Sequence, residues 1–196
     1  MKKIMFNDKH GLTQAVLDGR KTMTRRSIPK KLLESIELYA HGNEEELRYR
    51  LLANSSYHAG DALAIAQAYK DIYNDAYHIG LYCRIAAWTN KMYVAAYRMQ
   101  HHIKITNIRL ERLQDISEDD CLREGIYFDK EGGQSIGYPL AVPFYYTFRG
   151  AINRDGKQLY WSTPKDAFAA LIDKVSGKGT WESNPLVWVY EFELVD

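Results

Sequence analysis

The stretch HHIKITNIRLERL, residues 101–113, constrains the fold more than any other part of the chain. Ile103 and Ile105 lie on one parity of an extended backbone, Ile108 and Leu110 on the other. Successive strand side chains point to opposite faces, so a strand that buries all four needs a change of phase. The pattern predicts a β-bulge near Thr106 and Asn107. Three further segments read as strands. LVWVYEFEL places Trp188, Tyr190, Phe192 and Leu194 on one side. Thr22, Met23 and Thr24 alternate, with two β-branched residues, and GDALAIAQ is a turn followed by small apolar residues.

The connections are helical. LTQAVLDG has Asn7 or Asp8 near its start and Gly19 just past its end, the expected capping asymmetry. Residues 28–54 form two helical pieces, one opened by Pro29 and the other by Asn43 with Glu44, Glu45 and Glu46. SEDDCLREG reads as a short helix with Ser117 as cap, Asp120 as a partial capping-box partner and Gly125 as stop. STPKDAFAALIDKVSG has the strongest helical signal: Thr163 caps, Pro164 takes the first turn, and Phe168, Leu171, Ile172 and Val175 share a face. Residues 70–98 are dense in tyrosine without a period, and the Gly- and aromatic-rich residues 127–159 read as an insertion or loop. Strands at both ends and through the middle, with helices between, predict an α+β domain on a small mixed sheet or barrel. A Gly-rich phosphate turn within strand-helix alternation is absent, which argues against a dinucleotide fold.

Length and charge narrow the function. The 196 residues, 46% hydrophobic, suit one domain with a sizeable core. A net charge of +1 argues against a chain that coats nucleic acid, so any polyanion site must be a local patch. Arg20, Lys21, Arg25, Arg26, Lys30 and Lys31, with no acid between Asp18 and Glu34, are the candidate. Cys83 and Cys121 form no CxxC pair and fit a reducing compartment. The N-terminus turns polar too early for a signal peptide, and no run reaches membrane-spanning length, so the expected location is cytoplasmic, without a membrane partner.

Elimination removes the common chemistries. His101 and His102 are adjacent on a strand and face opposite ways, and His10, His41, His58 and His78 stand alone, so no metal site and no cofactor is expected. Cys121 sits where a short amphipathic helix buries an apolar side chain, and is read as core filling. No Walker-type loop occurs.

Four segments in order, VLDGRKTMTRR, YHAGDALAI, ERLQDISEDDCLREGI and WESNPLVWVYEF, resemble the ASCH family, a PUA-like β-barrel group. The resemblance spans both ends and the middle of residues 1–196 and implies a single PUA-like domain, with insertions at about 28–57, 70–98 and 127–159. It also implies a basic cleft that binds RNA or a modified nucleotide or nucleoside. A compact branch of the family is an amidohydrolase that deacylates N4-acetylcytidine. Carried to matching positions, its lysine, threonine and glutamate fall on Lys21, Thr24 and Glu124, in the roles of base, nucleophile and proton shuttle. Arg20, Arg25, Arg26 and Gln67 would contact the ligand. Gln67 stands where larger members carry a carboxylate, and Tyr69 where they carry tryptophan. A third reading is a phage- or mobile-element-type accessory protein that acts through a protein partner.

Overall fold

The expected bulge organises the central sheet. In the computed structural model, which describes residues 1–130, 144–147 and 159–195, the long strand β4 spans His102–Arg112 and pairs antiparallel with β7, Leu186–Leu194. The register runs Ile103 to Leu194 and Ile105 to Phe192, then resumes with Asn107 opposite Glu191, leaving Thr106 as the extra residue. Ile108 and Leu110 thereby come opposite Tyr190 and Trp188, so all four aliphatic residues share one face.

Three shorter strands complete the sheet: β1 Lys2–Ile4, β2 Met23–Ser27 and β3 Ala62–Ile65, in the order β1-β3-β4-β7-β2. Only β1 and β3 run parallel. The segments expected to share a sheet do share one. The edges β1 and β2 are four strand spacings apart, about 19 Å in a flat sheet. Yet the Arg26 guanidinium on β2 donates to the carbonyl of Met5, one residue beyond β1. Phe6 also packs against Phe192 of β7, with ring centroids 5.7 Å apart. The sheet is therefore strongly curled, and Phe6 lies inside the curl.

Helices cover both faces. α1, Leu12–Leu17, follows a 3-10 turn, and Gly19 leaves it with φ 71°. α2, Lys30–Ala40, and α3, Glu44–Ala53, form the two pieces expected, with Asn43 accepting from the Glu46 N–H. α3 seals the inner face: Trp188 Nε1 donates to the Leu51 carbonyl, and Ser55 hydrogen-bonds Tyr190. α4, Tyr69–Ile72, and α5, Ala76–Tyr82, lie in the tyrosine-rich segment. On the outer face sits α6, Glu118–Arg123, capped by Ser117 and ended by Gly125. A two-stranded ribbon, β5 Tyr127–Asp129 and β6 Phe144–Tyr146, occupies the described part of the segment read as a loop; the remainder, 131–143 and 148–158, lies outside the described residues. Beside α6 packs α7, Pro164–Ser176, with Thr163 as its cap and Phe168 and Leu171 buried. The single turn α8, Thr180–Ser183, leads into β7. No helix among the described residues is long and apolar enough to cross a membrane.

Candidate functional site

Lys21 is positioned by two elements at once. Its backbone N–H donates to Ala15 at the end of α1, and that of Thr22 donates to Arg123 at the end of α6. At this bend, before β2 begins, Lys21 escapes strand alternation and turns inward. Its side chain is 2% exposed. Nζ donates to Glu124 Oε2 at 2.5 Å, to the Glu124 carbonyl at 2.9 Å and to the Met23 carbonyl at 2.7 Å. Three acceptors match the three hydrogens of an ammonium. Burial pushes the Lys21 amine below the ordinary lysine range, against the opposing pull of the Glu124 charge.

Gly125 permits this approach. Its φ of +98° suits glycine, and a Cβ there would lie 3.3 Å from Ala15 Cβ and 3.4 Å from Lys21 Cβ. With no side chain between them, the end of α6 lies directly on the Lys21 stem.

Lys21 and Glu124 line a cavity of about 280 Å³ with Thr24, Arg25 and Arg26. Its apolar wall comes from Phe6 and Leu12 on one side and from Phe168, Leu171 and Ile172 of α7 on the other. Thr24 is buried on the inner face opposite Tyr190, and its hydroxyl has no hydrogen-bond partner among the described residues. Arg26 shares that face. Apart from the bond to Met5, its guanidinium has no ion pair among the described residues, and its buried Nε is unpartnered.

Arg25 points to the outer face and has a different environment. It donates through Nε to Glu111 at 2.7 Å, through one terminal nitrogen to Asp120 at 3.0 Å and through the other to Glu124 Oε1 at 3.1 Å. Asp120 and Glu111 are held in turn by Arg109, which also pairs with Glu191, and Arg123 pairs with Glu191 and Asp120. Four cations (Lys21, Arg25, Arg109, Arg123) thus meet four carboxylates (Glu111, Asp120, Glu124, Glu191).

The basic cluster of the sequence is therefore not one patch. Lys21 and Arg25 are internal and neutralised, and Lys30 lies 3.7 Å from Glu34 on the exposed surface of α2. Arg20 is half exposed, pairs with Asp18 at 3.2 Å and lies over the Tyr127 ring, outside the cavity lining. Gln67 departs from the expected grouping as well: it lines a separate cavity on the other flank of α1. Of the seven residues singled out, five line one cavity: Lys21, Thr24, Arg25, Arg26 and Glu124.

Asp120, read as a capping-box partner, gives its carboxylate to Arg25 and Arg109 instead, while its N–H takes the Ser117 cap. Cys121 is fully buried and its thiol is pushed up to about 12 by that burial, so it offers no thiolate at neutral pH. The apolar wall was not anticipated; its one signal was the α7 stripe running on to Ile172 and Val175, which stay partly exposed beside the cavity. No family model, curated protein or solved structure matches the chain.

Proposed function

We propose that this chain is an ASCH-type domain on a PUA-like barrel, and that its cavity takes one acylated base, as a nucleoside or modified nucleotide, and hydrolyses the amide. The observation that carries this reading is the buried Lys21–Glu124 pair beside the unpartnered Thr24 hydroxyl in one small cavity. The curl of the sheet supports the barrel. The unpaired Cys83 and Cys121 support a reducing, cytoplasmic setting.

As an ammonium, Lys21 has no lone pair, so it becomes a base only when Glu124 accepts a proton across their 2.5 Å bond. The neutral amine then takes the Thr24 hydroxyl proton as Oγ1 attacks the amide carbonyl. Arg26, the cation of the cavity without a carboxylate, faces the negative charge that develops on the carbonyl oxygen. Collapse breaks the C–N bond, and the Lys21–Glu124 pair delivers a proton to the leaving ring amine. Water repeats the sequence on the threonyl ester, releasing the carboxylic acid. Phe6 and Phe168 supply the apolar surfaces a flat base needs.

The test is turnover of N4-acetylcytidine and related acylated nucleosides by the wild type and by Lys21→Ala, Thr24→Ala and Glu124→Ala. Each substitution is expected to lower kcat/KM by roughly a hundredfold or more. Because burial lowers the Lys21 amine, the rising limb of the pH profile should lie below the ordinary lysine value of about 10.4. Activity that survives all three substitutions overturns the residue assignment.

A second reading keeps the cavity and drops the chemistry: a binding module for RNA or a modified nucleotide. The saturation of Lys21 by three acceptors favours it, since an amine so held positions groups rather than exchanging protons. Saturable binding of a modified nucleoside without turnover, abolished by Arg26→Gln, would select this reading.

A further inference from the structure

The cavity on the other flank of α1 has a volume of about 500 Å³, inside the roughly 300–1,000 Å³ range of small-molecule sites. Its buried polar residue is Gln67, 6% exposed. Gln67 Oε1 accepts from the backbone N–H of Gln100 at 2.9 Å. A backbone N–H only donates, so this bond fixes which end of the amide is oxygen. Gln67 Nε2 then keeps two hydrogens with no partner among the described residues, on the cavity side of a side chain more than nine-tenths buried. Nε2 is not sealed from solvent, so its hydrogens open on the cavity, where a ligand oxygen can accept them.

The rest of the lining narrows that acceptor. Thr13 and Thr89 contribute hydroxyls, Gln14 and Gln100 carboxamides, groups that both donate and accept as a ligand hydroxyl does. Asp8 is paired with Lys91 at 2.8 Å, and Lys70 and Asp71 add one charge of each sign, so the lining does not select an ion. Asp71 Oδ2 accepts from the Ala68 N–H at 3.0 Å, which leaves Oδ1 open. His101 is the one ring among the lining residues described, and no Phe, Tyr or Trp joins it, so a bare nucleobase would find a single imidazole and no second ring to stack on.

We propose that this cavity is a second ligand site, for a neutral molecule with adjacent hydroxyls: the vicinal diol of a sugar ring. Gln67 Nε2 donates to one hydroxyl oxygen, and Asp71 Oδ1 accepts from its neighbour, as an acidic side chain does with ribose hydroxyls elsewhere. The site stands apart from the Lys21 cavity and does not depend on the reading of that cavity.

The diol can belong to a free sugar or to the ribose of a nucleoside, and the probes separate the two. D-ribose, D-glucose, cytidine and 2′-deoxycytidine are titrated into the protein by calorimetry, with wild type, Gln67→Leu, Asp71→Asn and Lys21→Met. Saturable binding of ribose or glucose marks a free-sugar site. Cytidine binding at least about fivefold tighter than 2′-deoxycytidine marks a nucleoside ribose, by the contribution of one hydrogen bond. In either case Gln67→Leu weakens binding about fivefold or more and Lys21→Met leaves it unchanged. Asp71→Asn retains an oxygen for the Ala68 N–H, so it tests the same site should Gln67→Leu fail to fold. Absence of saturable binding for all four probes overturns the proposal, and so does binding that only Lys21→Met weakens.

Discussion

Arg25 stands among three carboxylates with its side chain 1% exposed. Removing it would leave Glu111, Asp120 and Glu124 crowded together with only Lys21, Arg109 and Arg123 to offset them, a loss larger than any net benefit of forming the pairs. Arg25→Ala is expected to lower the unfolding free energy by about 3–5 kcal/mol, read from urea denaturation. A change below about 1 kcal/mol, the range of an exposed pair, would mean that the carboxylates are not held as described. Arg25 is for the same reason a poor probe of ligand binding, and Arg26, with its unpartnered Nε, is the informative one. In GRKTMTRR the three arginines look equivalent. What separates them is strand parity, which sends Arg25 outward and Arg26 inward, and carboxylates contributed by residues 111, 120 and 124. Parity was legible in the sequence; those distant partners were not.

The approach of α6 to Lys21 rests on Gly125, whose missing Cβ leaves room for Ala15 and for the Lys21 stem. Gly125→Ala combines a strained φ with crowding in a packed interior. It should cost about 1–3 kcal/mol in thermal or urea unfolding and should depress cavity activity or ligand affinity beyond what lost folding explains. Unchanged function in a fully folded Gly125→Ala protein would show that the Lys21–Glu124 geometry tolerates displacement. The stop at Gly125 was visible in the sequence; the close contact behind it depends on how α1 and α6 meet and was not. Helix ends were read well wherever a cap carried the signal, as at Ser117, Asn43 and Thr163. Residues 70–98 resisted because their aromatics pack largely on one another, beside a small second cluster of Ala64, Ala66, Ala87, Val94 and Met99: Tyr73 stacks on His78 with centroids 4.2 Å apart, and Tyr69 meets Tyr82 at 4.7 Å. Such a cluster needs no helical or strand period, so none appears.

Across the molecule, the near-zero net charge reflects pairing more than dilution. The Lys21-to-Arg123 network ties β2, β4, β7 and α6 together, and its acid sensitivity follows from Glu191. Burial pushes the Glu191 carboxyl up, and Arg123 and Arg109 beside it more than reverse that, holding it below the ordinary glutamate range. A folded value below the unfolded one gives stability that is complete above about pH 4.3 and is lost as pH falls through the folded value. Glu191→Gln should therefore lower Tm at pH 7, and the gap from wild type should narrow toward pH 3. A gap constant across that range would mean that Glu191 titrates alike folded and unfolded.

Thr106 has a consequence for what the central strand can lose. Read by parity, the strand is an odd count hidden inside an even pattern. Deleting a residue outside the Thr106–Asn107 pair turns one flank's inward side chains to the other face. Deleting Thr106 turns none, since Ile103, Ile105, Ile108 and Leu110 would then alternate without interruption against the same partners in β7. What disappears is the local bend that a bulge imposes. The one-residue deletion thus separates pairing from curvature: the shortened chain should fold with β4 and β7 paired as before. A flatter sheet would then carry Arg26 away from Met5 and open the Lys21 cavity, and ligand affinity would report the loss.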